Sequence, residues 1–276
     1  MVLLHQNDYD KVLSHVNKVL INNLFARSVV EHKVPGKVFV DNYDNPATFY
    51  VVHPYGMSLL FGNSTNPEFN SKFLRYSLNL DKSRNQHEWM QAFPNQWEGV
   101  LNDLYSGYLI NSQDNADNRE TGIIELNTRV LFKFNRSRYL KTKTKVLPDH
   151  CHVVFTNERI FNEMTGAVIP KNFWDSYNDF FKTGAGFTVL HNQEIASTAF
   201  SAYVIDNMLE IGIESVAQFR GRGFAQVACS ALIDFCIENN YEPVWSCRLE
   251  NRSSLILAEK LGFEVYRKLP YYRLSN

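Results

Sequence analysis

Apolar and polar positions alternate with a period of two along Met208–Ser215, where Leu209, Ile211 and Ile213 stand against Glu210, Gly212 and Glu214. That is the signature of a half-buried strand. From Phe224 the period changes: Phe224, Ala225, Val227, Ala228, Ala231, Leu232, Phe235 and Cys236 recur at steps of three and four. This predicts an amphipathic helix ending near Asn239-Asn240. Upstream, the same reading predicts a helix over residues 8–27 with Asp8 as its N-cap. Strands follow at Lys37–Asp41, Thr48–His53 and Met57–Gly62, divided by turns at Asn42–Pro46 and His53–Gly56. A helix is expected over Pro67–Leu80. Glu88–Phe93 reads as a strand or as part of a helical run through Trp97 and Leu101–Tyr105.

A polar loop is expected over Asn111–Thr121, a strand at Ile124–Phe134, and a domain boundary after the basic stretch Lys141–Asp149 and its proline. Beyond it the pattern gives an extended segment around His152–Phe155 and a helix Asn172–Lys182 with Phe173, Tyr177, Phe180 and Phe181 inward. Strands follow at Phe187–Leu190 and Glu194–Ile205. After the central strand and helix come a short apolar strand, Pro243–Cys247, and a helix Ser253–Leu261 closed by Gly262. Helices alternating with an antiparallel meander and a crossover make the fold α/β. The expected division is residues 1–148 as an N-terminal α/β domain and 149–276 as a second one. The N-terminal half loosely echoes the order of the C-terminal half but has no matching glycine turn.

Between the central strand and its helix lies Arg220-Gly221-Arg222-Gly223-Phe224-Ala225. Glycines let the backbone take left-handed dihedrals and approach a ligand closely. Successive amides at a helix start converge on one anion, and the two arginines add charge at its rim. A lone Gly-x-Gly is more often an ordinary surface turn; the preceding strand, the immediate helix and the tail of the chain weigh against that here. The absence of a third glycine at Gln226 excludes a dinucleotide fingerprint, and no Gly-Lys-Ser/Thr occurs for a Walker loop.

Arg220-x-x-Gly223-x-Ala225, with the overlapping register Gln218-x-x-Gly221-x-Gly223, resembles the coenzyme motif [Gln/Arg]-x-x-Gly-x-[Gly/Ala] of the GNAT N-acetyltransferases. Asn251-Arg-Ser-Ser-Leu-Ile-Leu-Ala-Glu-Lys-Leu-Gly-Phe263 is similar to the second signature of that superfamily, at the expected distance. The likeness covers roughly residues 150–276. Five further segments extend it to one branch, the group including zwittermicin A resistance acetyltransferases. They are Val168-Ile-Pro170, Phe173-Trp174, Gly184-Ala-Gly-Phe187, Glu210-Ile-Gly-Ile-Glu214 and Pro243-Val-Trp-Ser-Cys247.

The resemblance implies a GNAT fold, a mixed and mainly antiparallel sheet flanked by helices. It makes the N-terminal half a degenerate GNAT-like copy or a substrate-shaping domain. It also implies acetyl-CoA as cosubstrate, no metal, and transfer of acetyl to the primary amine of a small molecule by direct attack. Amides of Arg220, Gly221, Arg222, Gly223, Phe224 and Ala225 would hold the pyrophosphate. The backbone of Ile213, Glu214 and Ser215, beside a bulge that splays the central strand from the next, would bond pantetheine and polarise the thioester carbonyl. Asn251 and Ser254 would line the pantetheine wall. The candidate bases are Glu210, Glu214 or a water chain. The acid of the family, the Tyr of Leu-Tyr-Glu-Lys, is Ala258 here, leaving Ser253, Ser254 and Tyr266 to replace it. Trp174, Tyr177 and residues 183–187 would shape the acceptor cleft. Two alternatives remain: an acyl-CoA-binding protein without turnover, and an enzyme for a longer acyl donor.

Composition adjusts this reading only at the edges. Apolar residues at 45% and aromatic residues at 14% suffice for a core in a 276-residue chain. A net charge of −1 argues against a nucleic-acid partner. The four cysteines lack metal-ligand spacing, and Cys229 and Cys236 read as core hydrophobes on one helix face. With no run of 18 apolar residues, the chain is expected to be cytoplasmic and away from membranes, with a homodimer as the candidate assembly.

Overall fold

The computed structural model of the chain describes residues 1–111, 122–143, 147 and 149–276. The polar loop expected after Asn111 and the boundary residue Pro148 lie outside the described residues. By contacts the chain divides into two units. The first comprises Met1–Arg129, Arg248–Glu250 and Lys268–Asn276, and the second Val130–Cys247 and Asn251–Arg267.

The first unit begins with β1 (Val2–Leu3), α1 (Asp10–Val16) and α2 (Leu24–Val30), where a single helix is expected from the apolar period. The break has a local cause: the Asn23 amide donates to the carbonyls of Val16 and, more weakly, Val19, closing the first helix before the second starts. Asp8 caps nothing, since its carboxylate accepts from the Tyr43 hydroxyl and pairs with Lys11. The antiparallel strands β2 (Lys37–Val40), β3 (Thr48–Val52) and β4 (Met57–Gly62) follow, as the alternation predicts. Asn66 caps α3 (Pro67–Ser77), accepting from Phe69 N–H at 3.0 Å, with Pro67 in the first turn where its missing N–H costs nothing. The ambiguous segment becomes β5 (Glu88–Phe93), parallel to β4. Then come α4 (Gln96–Leu104), β6 (Leu109–Asn111) and β7 (Ile124–Phe134), whose residues from Val130 on belong to the second unit.

The core of this unit is aromatic, with Tyr50, Phe69, Phe73, Trp97, Tyr105 and Tyr272 all fully buried or nearly so. Within it Glu88 accepts hydrogen bonds from the hydroxyls of Tyr50 and Tyr76. Burial raises the carboxyl of Glu88 above the ordinary carboxylate range, although both phenols oppose the shift.

The second unit adds α5 (Arg136–Thr142), β8 (Cys151–Phe155), α6 (Glu158–Glu163), α7 (Tyr177–Thr183), β9 (Gly186–His191), β10 (Glu194–Ile205) and β11 (Met208–Ser215). Then follow α8 (Phe224–Glu238), β12 (Glu242–Val244), β13 (Ser246–Arg248), α9 (Arg252–Lys260) and β14 (Phe263–Leu274), with Arg248 and the strand from Lys268 onward counted in the first unit. Helices α5 and α6 are additions to the sequence reading. Their Asn135 and Asn157 caps accept from Arg138 and Ile160 N–H, but each helix is too short to show a clear period. Helix α7 starts at Tyr177, five residues later than expected, because Ser176 caps it and Pro170–Asn172 forms a separate 3-10 turn. Phe180 is buried as expected, but Phe181 is 71% exposed.

Among the described residues one sheet has the order β1-β2-β3-β4-β5-β14-β7-β13, with β6 beside β7, and the other β12-β11-β10-β9-β8. This is the expected mixed, mainly antiparallel arrangement with flanking helices. Helix α8 packs on β8 to β11, burying Phe224, Ala228, Cys229, Leu232, Ile233 and Cys236. Burial pushes the Cys229 and Cys236 thiols up, as befits small core groups rather than nucleophiles. No helix among the described residues is long and apolar enough to cross a membrane.

Candidate functional site

The site grows from the way β11 loses its neighbour. Strand β12 pairs with it in parallel at Met208, Leu209 and Glu210 only, the last contact being Glu210 with Val244. The single strand expected over Pro243–Cys247 is in fact two, with Trp245 as the pivot between different sheets. Trp245 is 2% exposed; its carbonyl accepts from Phe132 N–H and its indole N–H donates to Ser254 Oγ at 3.2 Å. Among the described residues no strand pairs with β11 on this side beyond Glu210, so it runs on from Ile211 to Ser215 with one edge open. Val216 N–H bonds Ala196 O, so by the alternation of an antiparallel ladder Ile213 and Ser215 turn their main-chain groups to that open edge. The bulge lies on the neighbouring strand, at Ala202 of β10 opposite the step from Ile211 to Glu210, not on β11.

At the end of this edge the chain makes a 3-10 turn, Ala217–Phe219, and enters the glycine turn. Gly221 has φ +78° and Gly223, the N-cap of α8, has φ +83°, conformations in which a side chain is strained. A Cβ built on either would meet no atom within 4 Å, so the space over the turn is open. The first helical bond, Val227 N–H to Gly223 O, leaves the amides of Phe224, Ala225 and Gln226 at the helix mouth without intrahelical partners. Arg220 donates from Nε to Ser215 O at 3.1 Å, and Arg222 lies over the Phe219 ring at 5.7 Å. Positive charge, dipole and open space together suit a diphosphate.

The two candidate carboxylates share one face of β11. Ring contact of Phe187 with Phe235 sets the α8 side of the sheet, and register carries that side through Ala199 to Ile213. Glu210, Gly212 and Glu214 consequently face away from α8. Phe200 lies across Gly212 so closely that a Cβ there would meet its ring at 2.5 Å, and this ring separates the two carboxylates. Glu210 is 5% exposed and accepts from Ser246 Oγ at 2.7 Å, at the fork where β12 departs. Glu214 is bound differently. Its Oε2 accepts from Ala167 and Val168 N–H, both at 3.0 Å, and its Oε1 lies 3.4 Å from Arg220.

Asn251 caps α9, its Oδ1 accepting from Ser254 N–H and Ser253 Oγ. Of the serines considered as acids, Ser253 donates its hydroxyl to Asn251, whereas Ser254 Oγ accepts from Trp245. Ala258 is fully buried, and Tyr266 is 55% exposed on β14. Trp174 donates its indole N–H to Ser201 O at 2.7 Å and stands edge-on to Phe180; Gly184 C-caps α7. Sequence reasoning missed Ser246, Phe200 and the segment Gly166–Val168. Phe200 had a signal in Gly212, since a glycine inside a strand marks a close approach by something large, and Val168 and Ser246 stood inside segments quoted for the resemblance without a role.

The corresponding place in the first unit is closed. Strands β4 and β5 pair continuously from Met57/Trp89 to Phe61/Phe93. The turn after β4 is filled by its own side chains: Asn63 Oδ1 accepts from Thr65, and Asn66 Oδ1 from Phe69 N–H.

Comparison with known proteins bears on the family and the fold. A curated relative, the uncharacterized N-acetyltransferase YdfB of Bacillus subtilis, is 26% identical over 250 residues, 90% of this chain and 89% of its own. A GCN5-related N-acetyltransferase-like protein from Streptococcus suis shares the fold with a TM-score of 0.70 at 17% identity, over 97% of this chain and 99% of that one. A tandem GNAT protein from the clavulanic acid biosynthesis pathway aligns over 99% of this chain and 97% of its own, with TM-score 0.64 and 9% identity. The profile of the GNAT acetyltransferase family matches residues 16–272, and the chain belongs to that family.

Proposed function

We propose that the open edge of β11 and the glycine turn bind acetyl-CoA, and that the chain acetylates the primary amine of a small molecule with Glu210 as base. The observation that carries this reading is the fork at Glu210: pairing to β12 ends there, and the edge it leaves leads straight into the open glycine turn. Acetyl-CoA is the cosubstrate of this family, and when bound it supplies a thioester carbonyl. The chain's own part is to grip the diphosphate with amides of residues 220–225 and to align pantetheine along Ile213–Ser215. Asn251 and Ser254 stand at the start of α9 as its far wall. Glu210, oriented by Ser246, takes the proton that the amine nitrogen loses as it gains the acetyl carbon. The sulfur keeps the C–S pair; a thiol of pKa about 8.5 leaves without a donor, which accommodates Ala258.

The acceptor approaches from the face opposite α8, where Glu210 points and where the segment from Gly166 to Trp174 lies. The likeness to zwittermicin A resistance enzymes makes amine-bearing antibiotics the first acceptors to try. Four free, buried cysteines fit a cytoplasmic setting. Thiol release from acetyl-CoA across an amine panel tests the reading. Amine-dependent release is expected. Heat protection by acetyl-CoA without release supports a non-catalytic binder, the reading that Ala258 favours. Stronger protection by longer acyl-CoA thioesters shifts the donor.

A further inference from the structure

We propose that Glu214 is a positioning residue: its carboxylate ties the coenzyme turn to the segment Gly166–Val168 on the acceptor face and leaves the proton transfer to Glu210. This rests on the coenzyme reading above.

Both oxygens of Glu214 are committed. Oε2 accepts two successive main-chain N–H groups, Ala167 and Val168 at 3.0 Å each. Oε1 accepts from Ser215 N–H at 3.2 Å and faces Arg220 Nη2 at 3.4 Å. To take a proton from a substrate the carboxylate would have to surrender donors on one side or the other. The approach of the segment is built for this contact. Gly166 has φ +140°, and a Cβ there would stand 2.6–2.7 Å from Glu214 Oε2, Cδ and Cγ. Only glycine brings the backbone that near. The cleft beside Glu214, lined by Glu163, Met164, Thr165, Ile195, Glu214 and Val216, has room for a few waters.

Arg220 is the exposed end. Its side chain is 66% exposed while that of Glu214 is 14% exposed, so a bound diphosphate meets the guanidinium while its contact with the sheltered carboxylate is kept. Tightening of the turn around acetyl-CoA would fix Arg220, hence Glu214, hence Ala167 and Val168. A coenzyme-dependent ordering of the acceptor face follows.

Amide exchange reads this directly, because the donors themselves are the reporters. At saturating acetyl-CoA, exchange at Ala167 and Val168 should slow by about tenfold in the wild type, the size expected of one charge-assisted hydrogen bond. Arg220→Met, at a side chain 66% exposed, should abolish that slowing. Glu214→Gln keeps an oxygen for Ala167 and Val168 but turns an amide toward Arg220, and should abolish it too. In parallel, the weakening of acetyl-CoA affinity by Gly166→Ala and by Arg220→Met should be non-additive. Slowing that persists in Arg220→Met and Glu214→Gln, with additive affinities, overturns the proposal while leaving the coenzyme site standing. Failure of the wild type to bind acetyl-CoA at all removes the coenzyme reading and this proposal with it. A Glu214→Gln enzyme that keeps wild-type affinity and exchange but loses turnover makes Glu214 the base, and also overturns it.

Discussion

Glu210 and Glu214 show how one strand period leaves a choice that packing makes. Alternation places both on one face of β11, and their neighbours distinguish them: Ser246 Oγ for Glu210, two backbone amides and Arg220 for Glu214. Glu210→Gln should lower kcat by about a hundredfold to ten-thousandfold, the usual worth of a general base, with acetyl-CoA affinity by calorimetry unchanged. A second residue-scale prediction concerns His53, fully buried in the first unit, whose Nδ1 accepts from Tyr55 N–H. Burial pulls its pKa from 6.5 down to about 3. Between those values the unfolded chain binds a proton that the native chain refuses, so stability falls as pH drops through that window. The loss from pH 6.5 to 5 is about 2 kcal/mol. Urea midpoints should show His53→Asn losing less stability than wild type over that interval; equal losses would place the proton elsewhere. The settings of the two carboxylates could not be foreseen in the sequence, because Ser246 and the amides of Ala167 and Val168 lie on other elements.

The strand, glycine turn and helix running from Met208 to Glu238 fold as their local pattern dictates. Two glycines meet a real demand for positive φ, and α8 starts where the apolar period starts. Gly223→Glu would put a negative charge at the helix mouth and strain the left-handed position by about 1–3 kcal/mol. With no atom within 4 Å of its Cβ, the fold should survive in circular dichroism while acetyl-CoA binding disappears. Undiminished binding would mean that the diphosphate lies elsewhere. Elements set by side-chain caps were less legible. The aromatic run Phe173–Phe181 has a helical period, yet Ser176 delays the helix and leaves Phe181 in solvent. Residues 8–27 likewise hold a continuous apolar period that Asn23 interrupts. A cap is a single hydrogen bond and leaves no periodic trace.

Across the molecule, chain order and contact units do not coincide. The last residues, Lys268–Asn276, belong to the first unit. Tyr272 and Leu274 enter its aromatic core, and Arg84 donates to the carbonyls of Leu274 and Ser275. Ending the chain after Arg267 should therefore cost the first unit at least 5 kcal/mol on the order of magnitude of two large core deletions, comparable with a whole domain's stability. Loss of its cooperative melt is expected; a native melt would show that this tail is dispensable. By itself the sequence determined the fold class, the glycine turn and the strand and helix on either side, because backbone dihedrals and burial periods are local properties. Tertiary structure alone decided that β12 leaves β11 at Glu210, that Phe200 parts the two carboxylates, and that Glu214 is bound to a segment nearly fifty residues away. Those outcomes depend on which surfaces meet, and a linear pattern of polar and apolar residues carries no record of its partners.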